Sequence, residues 1–311
     1  MSTLDASNTF VHPALFYRTA DEYTQRTVAF LEEGLANGEP MAVAVPGPNL
    51  ELIRSGLGAD ADGIVFLDMT EVGRNPGRII PKVLRGFADA HRGGRVRIIG
   101  EPIWAGRSAV EYPACAQHEA LINAAFEDRA VTILCPYDET RLDPQVIADA
   151  RITHPTVIDG EGREEPSDVY DWEAVVSRYN QALPPAAADA AVFRYEAADL
   201  PEVRGFAVGS ATRLGLAGER LMDAELAVAE LTTNSVVHGG GRGTLAVWAE
   251  HGQVVIEVRD AGRLTDPLAG RRPPEPGQLG GRGLMLVHYV ADLVRVHTGD
   301  DGTTVRLYLS T

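Results

Sequence analysis

Four short apolar runs, MAVAVP (41–46), GIVFLDM (63–69), RVRIIGEPI (95–103) and AVTILCPYD (130–138), alternate with segments of helical spacing at 21–36, 76–91, 113–128 and 143–151. Short runs rich in Val, Ile and Leu, separated by amphipathic helices, imply a parallel sheet covered on both faces. The first half is therefore expected to be an α/β sandwich of the doubly wound kind.

The alternation then stops. Residues 159–191 begin acidic and Gly/Pro-bearing, have room for a short helix at 168–182, and end in PPAAADAA. Proline pairs and alanine without packing periodicity read as a linker, which places the boundary near 185 and the parts at 8–158, 159–191 and 192–311. The second half has another order. Helical segments at 201–214 and 218–237 precede alternating strands at 243–252, 253–262, 290–299 and 303–310. Helices against one face of a mostly antiparallel sheet describe an α+β sandwich.

Composition bounds the function. The 311 residues are 45% hydrophobic and 23% charged, an ordinary soluble profile, and the net charge of −16 argues against a direct nucleic-acid surface. No stretch approaches the roughly 18–20 apolar residues of a membrane helix. MSTLDASNTF has no basic segment ahead of an apolar core, so no signal peptide is expected. Cys115 and Cys135 sit in apolar surroundings without CxxC spacing, and read as reduced, buried thiols of a cytoplasmic protein.

Four stretches of the second half carry chemistry. AELTTNSVVHG (229–239) puts Glu230 and Asn234 one helical turn apart. An amide oxygen there suits Mg²⁺ and a neighbouring carboxylate suits a general base, although a polar helix end reads the same way. VVIEVRDAG ends a strand on Asp260, followed by Gly262, either to accept from an exocyclic amine or to make an Asp–Gly turn. GGRGLMLVHYV sets Gly280, Gly281 and Gly283 at the start of an apolar helix near 284–292, where backbone N–H groups favour phosphate. Gly302, Thr303 and Thr304 open the last strand, with hydroxyls for a phosphate or simply a hairpin turn.

In this order and spacing the four stretches resemble the GHKL ATPase superfamily, which includes gyrase, MutL and histidine kinases. The resemblance spans 192–311 and implies a Bergerat-type α+β sandwich with ATP and Mg²⁺ as cofactors. By that likeness Asn234 holds Mg²⁺, Asp260 reads the adenine amine with Gly262 beside it, and Gly280, Gly281, Arg282, Gly283 and Leu284 wrap the phosphates. His238, Thr303 and Thr304 complete the wall. DAGRL departs from the family's DxGxG, with Leu264 in place of the second glycine, which puts ATP affinity in question.

The proline-rich lid, RLTDPLAGRRPPEPGQL (263–279), is short and resembles that of anti-sigma-factor serine kinases of the RsbW and SpoIIAB type. That likeness implies a transcription regulator in which Glu230 is the base toward a serine or threonine hydroxyl. Its partners would be a sigma factor or a STAS-type anti-sigma antagonist, and a homodimer is the group's usual state. Arg271 and Arg272 would either stabilise γ-phosphate charge or form an exposed basic loop. The alternative is a catalytically weak GHKL module that only sequesters a partner. A sensor histidine kinase is disfavoured, because 159–200 contains no histidine.

HPALFY (12–17), GEPMAVAV, HEALIN (118–123), LCPYD (134–138) and ITHP (152–155) resemble the MEDS domain, a sensory module. The likeness covers 8–158 and implies a RecA-like sandwich that senses a small-molecule ligand, with hydrocarbon derivatives as the family's theme. VPGPNLELIR (45–54) lacks the lysine and second glycine of a P-loop. His12, His118, Glu119, Tyr137, Asp138 and His154 are the polar residues of interest. Their spacings fit no familiar metal pattern, and helix capping or satisfied core polar groups is the expected reading.

Overall fold

The computed structural model describes residues 9–273 and 281–311. The chain divides into two units, Met1–Tyr179 and Asn180–Thr311, each with its own sheet. In the first unit, β1 (Pro13–Tyr17), α1 (Ala20–Ala36), β2 (Met41–Val45), α2 (Gly47–Leu57), β3 (Val65–Asp68) and α3 (Met69–Val72) are followed by α4 (Arg85–Ala90), β4 (Val96–Gly100) and α5 (Tyr112–Ala125). Then come β5 (Val131–Asp138), α6 (Pro144–Thr153), β6 (Thr156–Ile158), β7 (Glu164–Pro166) and α7 (Trp172–Arg178). The strand order is β3-β2-β4-β5-β1-β6-β7, parallel throughout except for the β6–β7 pair.

Alternate side chains of these strands serve opposite faces. Leu15, Val43, Val45, Ile99 and Leu134 join Tyr23 and Leu31 of α1 and Leu50 and Ile53 of α2 in one apolar cluster. The intervening positions of β5, Cys135 and Tyr137, lie buried toward α5 and α6. Thr19 caps α1 by accepting from the Glu22 N–H, and Asp143 caps α6 by accepting from Gln145. The single helix expected at 76–91 is instead a 3₁₀ turn, a π-helical turn at Ile79–Leu84 and α4. Pro76 and Pro81 supply no N–H, so the regular α ladder cannot run through them.

The stretch expected to be a linker carries structure. Val175 of α7 packs on Ala116 and Ala120 of α5. Asp149 of α6 accepts from Tyr112, Tyr179 and Arg178.

The second unit runs β8 (Ala191–Glu196), α8 (Leu200–Arg213), α9 (Gly218–His238), β9 (Arg242–Glu250), β10 (Gln253–Asp260), α10 (Gly283–Val290), β11 (Leu293–Gly299) and β12 (Gly302–Ser310). Its sheet is antiparallel, in the order β11-β12-β10-β9-β8. His251 and Gly252 both take positive φ, 48° and 77°, in the tight turn between β9 and β10, the geometry of a two-residue hairpin. Small residues let the helices lie close: Ala207, Ala211, Ala224 and Ala227 share a core with Val254, Ile256, Val258, Leu307 and Leu309.

On the other face, Arg306 and Glu257 form a buried pair, Nε to Oε2 2.8 Å, with the guanidinium over the Trp248 ring. Arg306 also donates to the Pro184 carbonyl. The Asn180 amide donates to the Thr298 carbonyl at 2.8 Å and accepts from the Thr298 N–H at 3.0 Å. Residues 180–184 are thus fastened to β11 and β12. Among the described residues, no helix is long and apolar enough to cross a membrane.

Candidate functional site

The second unit holds a cavity of about 700 Å³ between α9, the end of β10, the start of α10 and residues 263–273. Ligand pockets commonly measure about 300–1,000 Å³. Leu231, Val258 and Val305 give it an apolar floor, and Asn234, Ser235, His238, Asp260 and Thr303 give it polar groups. α9 delivers Asn234 and His238 on one face because they are four residues apart. Glu230 stands one turn earlier; a Cβ on Gly283 would fall 2.5 Å from its Oε2 and 3.3 Å from the Asn234 amide nitrogen. A side chain at position 283 would therefore displace the Glu230 carboxylate, and glycine leaves that carboxylate where it stands.

Asp260 is held on both sides. Ser235 Oγ donates to Oδ2 at 2.7 Å, and the Gly262 N–H donates to Oδ1 at 2.8 Å. Each carboxylate oxygen retains a further lone pair, which can accept from a ligand amine. Close backbone packing surrounds it. A Cβ on Gly302, where φ is +109°, would fall 2.0 Å from the Asp260 carbonyl, and one on Gly239 would meet the Asp260 side chain at 2.4 Å. Thr303 Oγ1 donates to the Gly262 carbonyl, and Thr298 Oγ1 accepts from the Leu264 N–H, both at 2.9 Å.

Asn234, His238, Asp260, Gly262, Gly281, Gly283, Leu284 and Thr303 line this one cavity. Three expectations need correction. Thr304 neighbours Thr303 on β12, so its side chain leaves the opposite face of the sheet and does not line the cavity. Arg282 is exposed, stands just before α10 without a side-chain capping bond and is outside the lining. Of the two lid arginines, Arg272 lines the cavity, whereas Arg271 is buried near His288, whose imidazole burial holds well below its usual range. Gly280 lies outside the described residues.

Sequence reasoning missed Ser235 and Thr298. Ser235 Oγ also lies 3.1 Å from the Leu231 carbonyl, the partner a helical serine commonly takes, so nothing in its local sequence marks the contact to Asp260.

In the first unit, His12, Glu119 and His154 converge with Cys135, all four buried. Tyr137 meets the His154 ring edge-on. Asp138 caps a turn instead, accepting from the Thr140 N–H and hydroxyl. The expectation of satisfied core polar groups fails here: among the described residues neither Glu119 oxygen nor His154 Nε2 has a hydrogen-bond partner. Cys135 also has the basic neighbour that sequence did not show, His12, while burial pushes its thiol well above the usual pKa.

Comparison with protein families agrees with this division. Residues 11–155 match the model described as MEDS, the methanogen/methylotroph, DcmR sensory domain. Residues 193–309 match the model of the histidine kinase-like ATPase domain. The chain therefore carries a MEDS domain ahead of a histidine kinase-like ATPase domain. No curated protein matches it.

Proposed function

We propose that the second unit binds ATP with Mg²⁺ and acts as a protein serine/threonine kinase of the anti-sigma-factor type, under the control of the MEDS domain. The observation that carries this reading is that Asn234, Gly283 and Asp260 line one cavity, with Glu230, itself outside the lining, 2.5 Å from where a Cβ on Gly283 would stand. The residues fit the nucleotide. Asp260 retains acceptor capacity for the adenine amine, and Gly281 and Gly283 leave backbone N–H groups uncovered at the start of α10, where a helix favours anions.

Bound ATP supplies the transferable phosphoryl group, and Mg²⁺ offsets its charge. Asn234 would offer its amide oxygen to the metal, and Glu230, one turn away, would accept the proton of an incoming hydroxyl. Arg272 adds positive charge to the lid side of the cavity. The partner would be a sigma factor or the antagonist that carries the hydroxyl. For the first unit, the strand order β3-β2-β4-β5-β1-β6 supports a RecA-like reading, and its role would be to sense a small molecule.

Leu264 favours a second reading. Its side chain is part of the cavity wall, where the family commonly has glycine, and a narrowed adenine end suits a module that only sequesters its partner. Calorimetric titration of MgATP into the wild type and Asn234→Ala separates the two. Binding that the variant loses, followed by phosphotransfer that Glu230→Ala loses, supports the kinase. A wild type that binds MgATP but labels no antagonist leaves the sequestering module. No binding to the wild type rejects the nucleotide reading.

A further inference from the structure

His12 precedes β1, Glu119 lies within α5, Cys135 within β5 and His154 at the end of α6. Their ligand atoms all lie within 4.8 Å of one another. Cys135 Sγ is 3.4 Å from His12 Nε2, which is 3.7 Å from Glu119 Oε2, which in turn is 3.2 Å from His154 Nε2. A tetrahedral cation with bonds of about 2.0–2.3 Å separates its ligand atoms by roughly 3.3–3.8 Å. The contacts fall at or near that spacing.

The outer hydrogen bonds aim both imidazoles inward. Asn123 donates its amide to the carbonyls of Ala120 and Thr153, at 3.1 and 2.9 Å, so its Oδ1 is an acceptor. His12 Nδ1 sits 3.2 Å from that oxygen and must carry the hydrogen, which leaves Nε2 with its lone pair. His154 Nδ1 is 2.8 Å from the Ala150 carbonyl, which only accepts, so the same holds for its Nε2. A metal-bound histidine has this arrangement, its remote nitrogen tied to a carbonyl or amide and its near nitrogen bare.

In that state two nitrogen lone pairs, a carboxylate oxygen and a thiol face one another away from water, and the one thiol hydrogen can answer only one of the contacts, such as that to His12 Nε2. A proton on His154 would answer one more. A metal ion answers all four, including the Glu119 carboxylate, whose oxygens have no hydrogen-bond partner among the described residues. The donor set of two imidazoles, one thiolate and one carboxylate excludes Mg²⁺ and Ca²⁺, which prefer all-oxygen shells. It suits four-coordinate Zn²⁺.

We infer that the first unit contains a buried zinc-class metal site built from His12, Glu119, Cys135 and His154. Four protein ligands leave no open position, so the ion ties together the entry to β1, α5, β5 and the end of α6. The inference does not depend on the nucleotide reading of the second unit.

The test uses the full chain, stripped of metal by a chelator and titrated with Co²⁺ in the absence of nucleotide. The wild type should bind one Co²⁺ per chain, showing visible ligand-field bands and a near-ultraviolet thiolate-to-cobalt band, both abolished by added Zn²⁺. Cys135→Ser should lose the thiolate band, and Glu119→Gln should weaken affinity by at least about 10-fold. Cys115→Ser and Asn234→Ala should leave the spectrum unchanged, which sets this site apart from the other cysteine and from the nucleotide cavity. A stripped wild type that binds no Co²⁺, or binds it without a thiolate band, overturns the inference even if a variant fails to fold. A thiolate band that survives in Cys135→Ser also overturns it.

Discussion

Ser235 and Asp260, 25 residues apart and on different elements, are joined by one hydrogen bond of 2.7 Å from hydroxyl to carboxylate. The bond fixes the orientation of the acid at the end of the cavity. It leaves the acid's remaining acceptor capacity for a ligand.

Ser235→Ala removes one of the two donors that orient Asp260 and leaves Gly262 as the other. The expected cost is about 1 kcal/mol, seen as a fall in ATP affinity of about 5-fold by calorimetry. Unchanged affinity would mean that Asp260 is not read by the nucleotide.

Gly283→Ala places a methyl group 2.5 Å from Glu230 Oε2, the far end of a flexible side chain, which can swing aside. The fold should survive, with a melting temperature within about 2 °C of wild type. Phosphotransfer should fall by about 10-fold or more because the base is displaced. A variant with full phosphotransfer would exclude Glu230 as the base.

Glu101 is buried and accepts from Asn49 at 2.8 Å and Tyr23 at 3.2 Å, and burial raises its pKa to about 8. Between the unfolded value of 4.5 and about 8, the folded chain keeps a proton that the unfolded chain has released. The stability this provides is complete below pH 4.5 and is lost as pH rises through about 8. Glu101→Gln cannot ionise, so it should gain stability relative to wild type as pH rises across that window. Thermal unfolding of both proteins at several pH values checks this, and a constant difference between them would contradict it.

Arg306→Leu leaves Glu257 buried without its cation, a change expected to destabilise the second unit by about 3–5 kcal/mol. The double change with Glu257→Leu should recover most of that loss. Urea unfolding followed by Trp248 fluorescence, with Trp104 and Trp172 of the first unit replaced by Phe, reads this unit alone. No recovery in the double variant would show that the carboxylate is not the source of the cost.

The cavity is largely legible in sequence because its parts are contiguous motifs, each delivered by one element: Asn234 by a helix, Asp260 by a strand end, Gly283 by a helix start. Ser235 and Thr298 are not legible, since their roles come from contacts made across the fold. β8 escapes notice because only Tyr195 of its six residues is buried, so its apolar alternation is weak at the sheet edge. β1 is five residues long and begins with Pro13, too short a run to be told from a loop. The His12–Cys135 contact spans 123 residues and joins a loop to the middle of a strand, so no ligand spacing announces it.

Asn180 is the first residue of the second unit, and its side-chain amide both donates to and accepts from the backbone of Thr298. The hydroxyl of Thr298 in turn accepts from Leu264 and touches Thr303, both on the cavity wall. The second unit is thus buckled to its own cavity rim at its first residue: Thr298 is the single link between the Asn180 amide and the Leu264 backbone, so a ligand that displaces Leu264 is felt where this unit's chain begins.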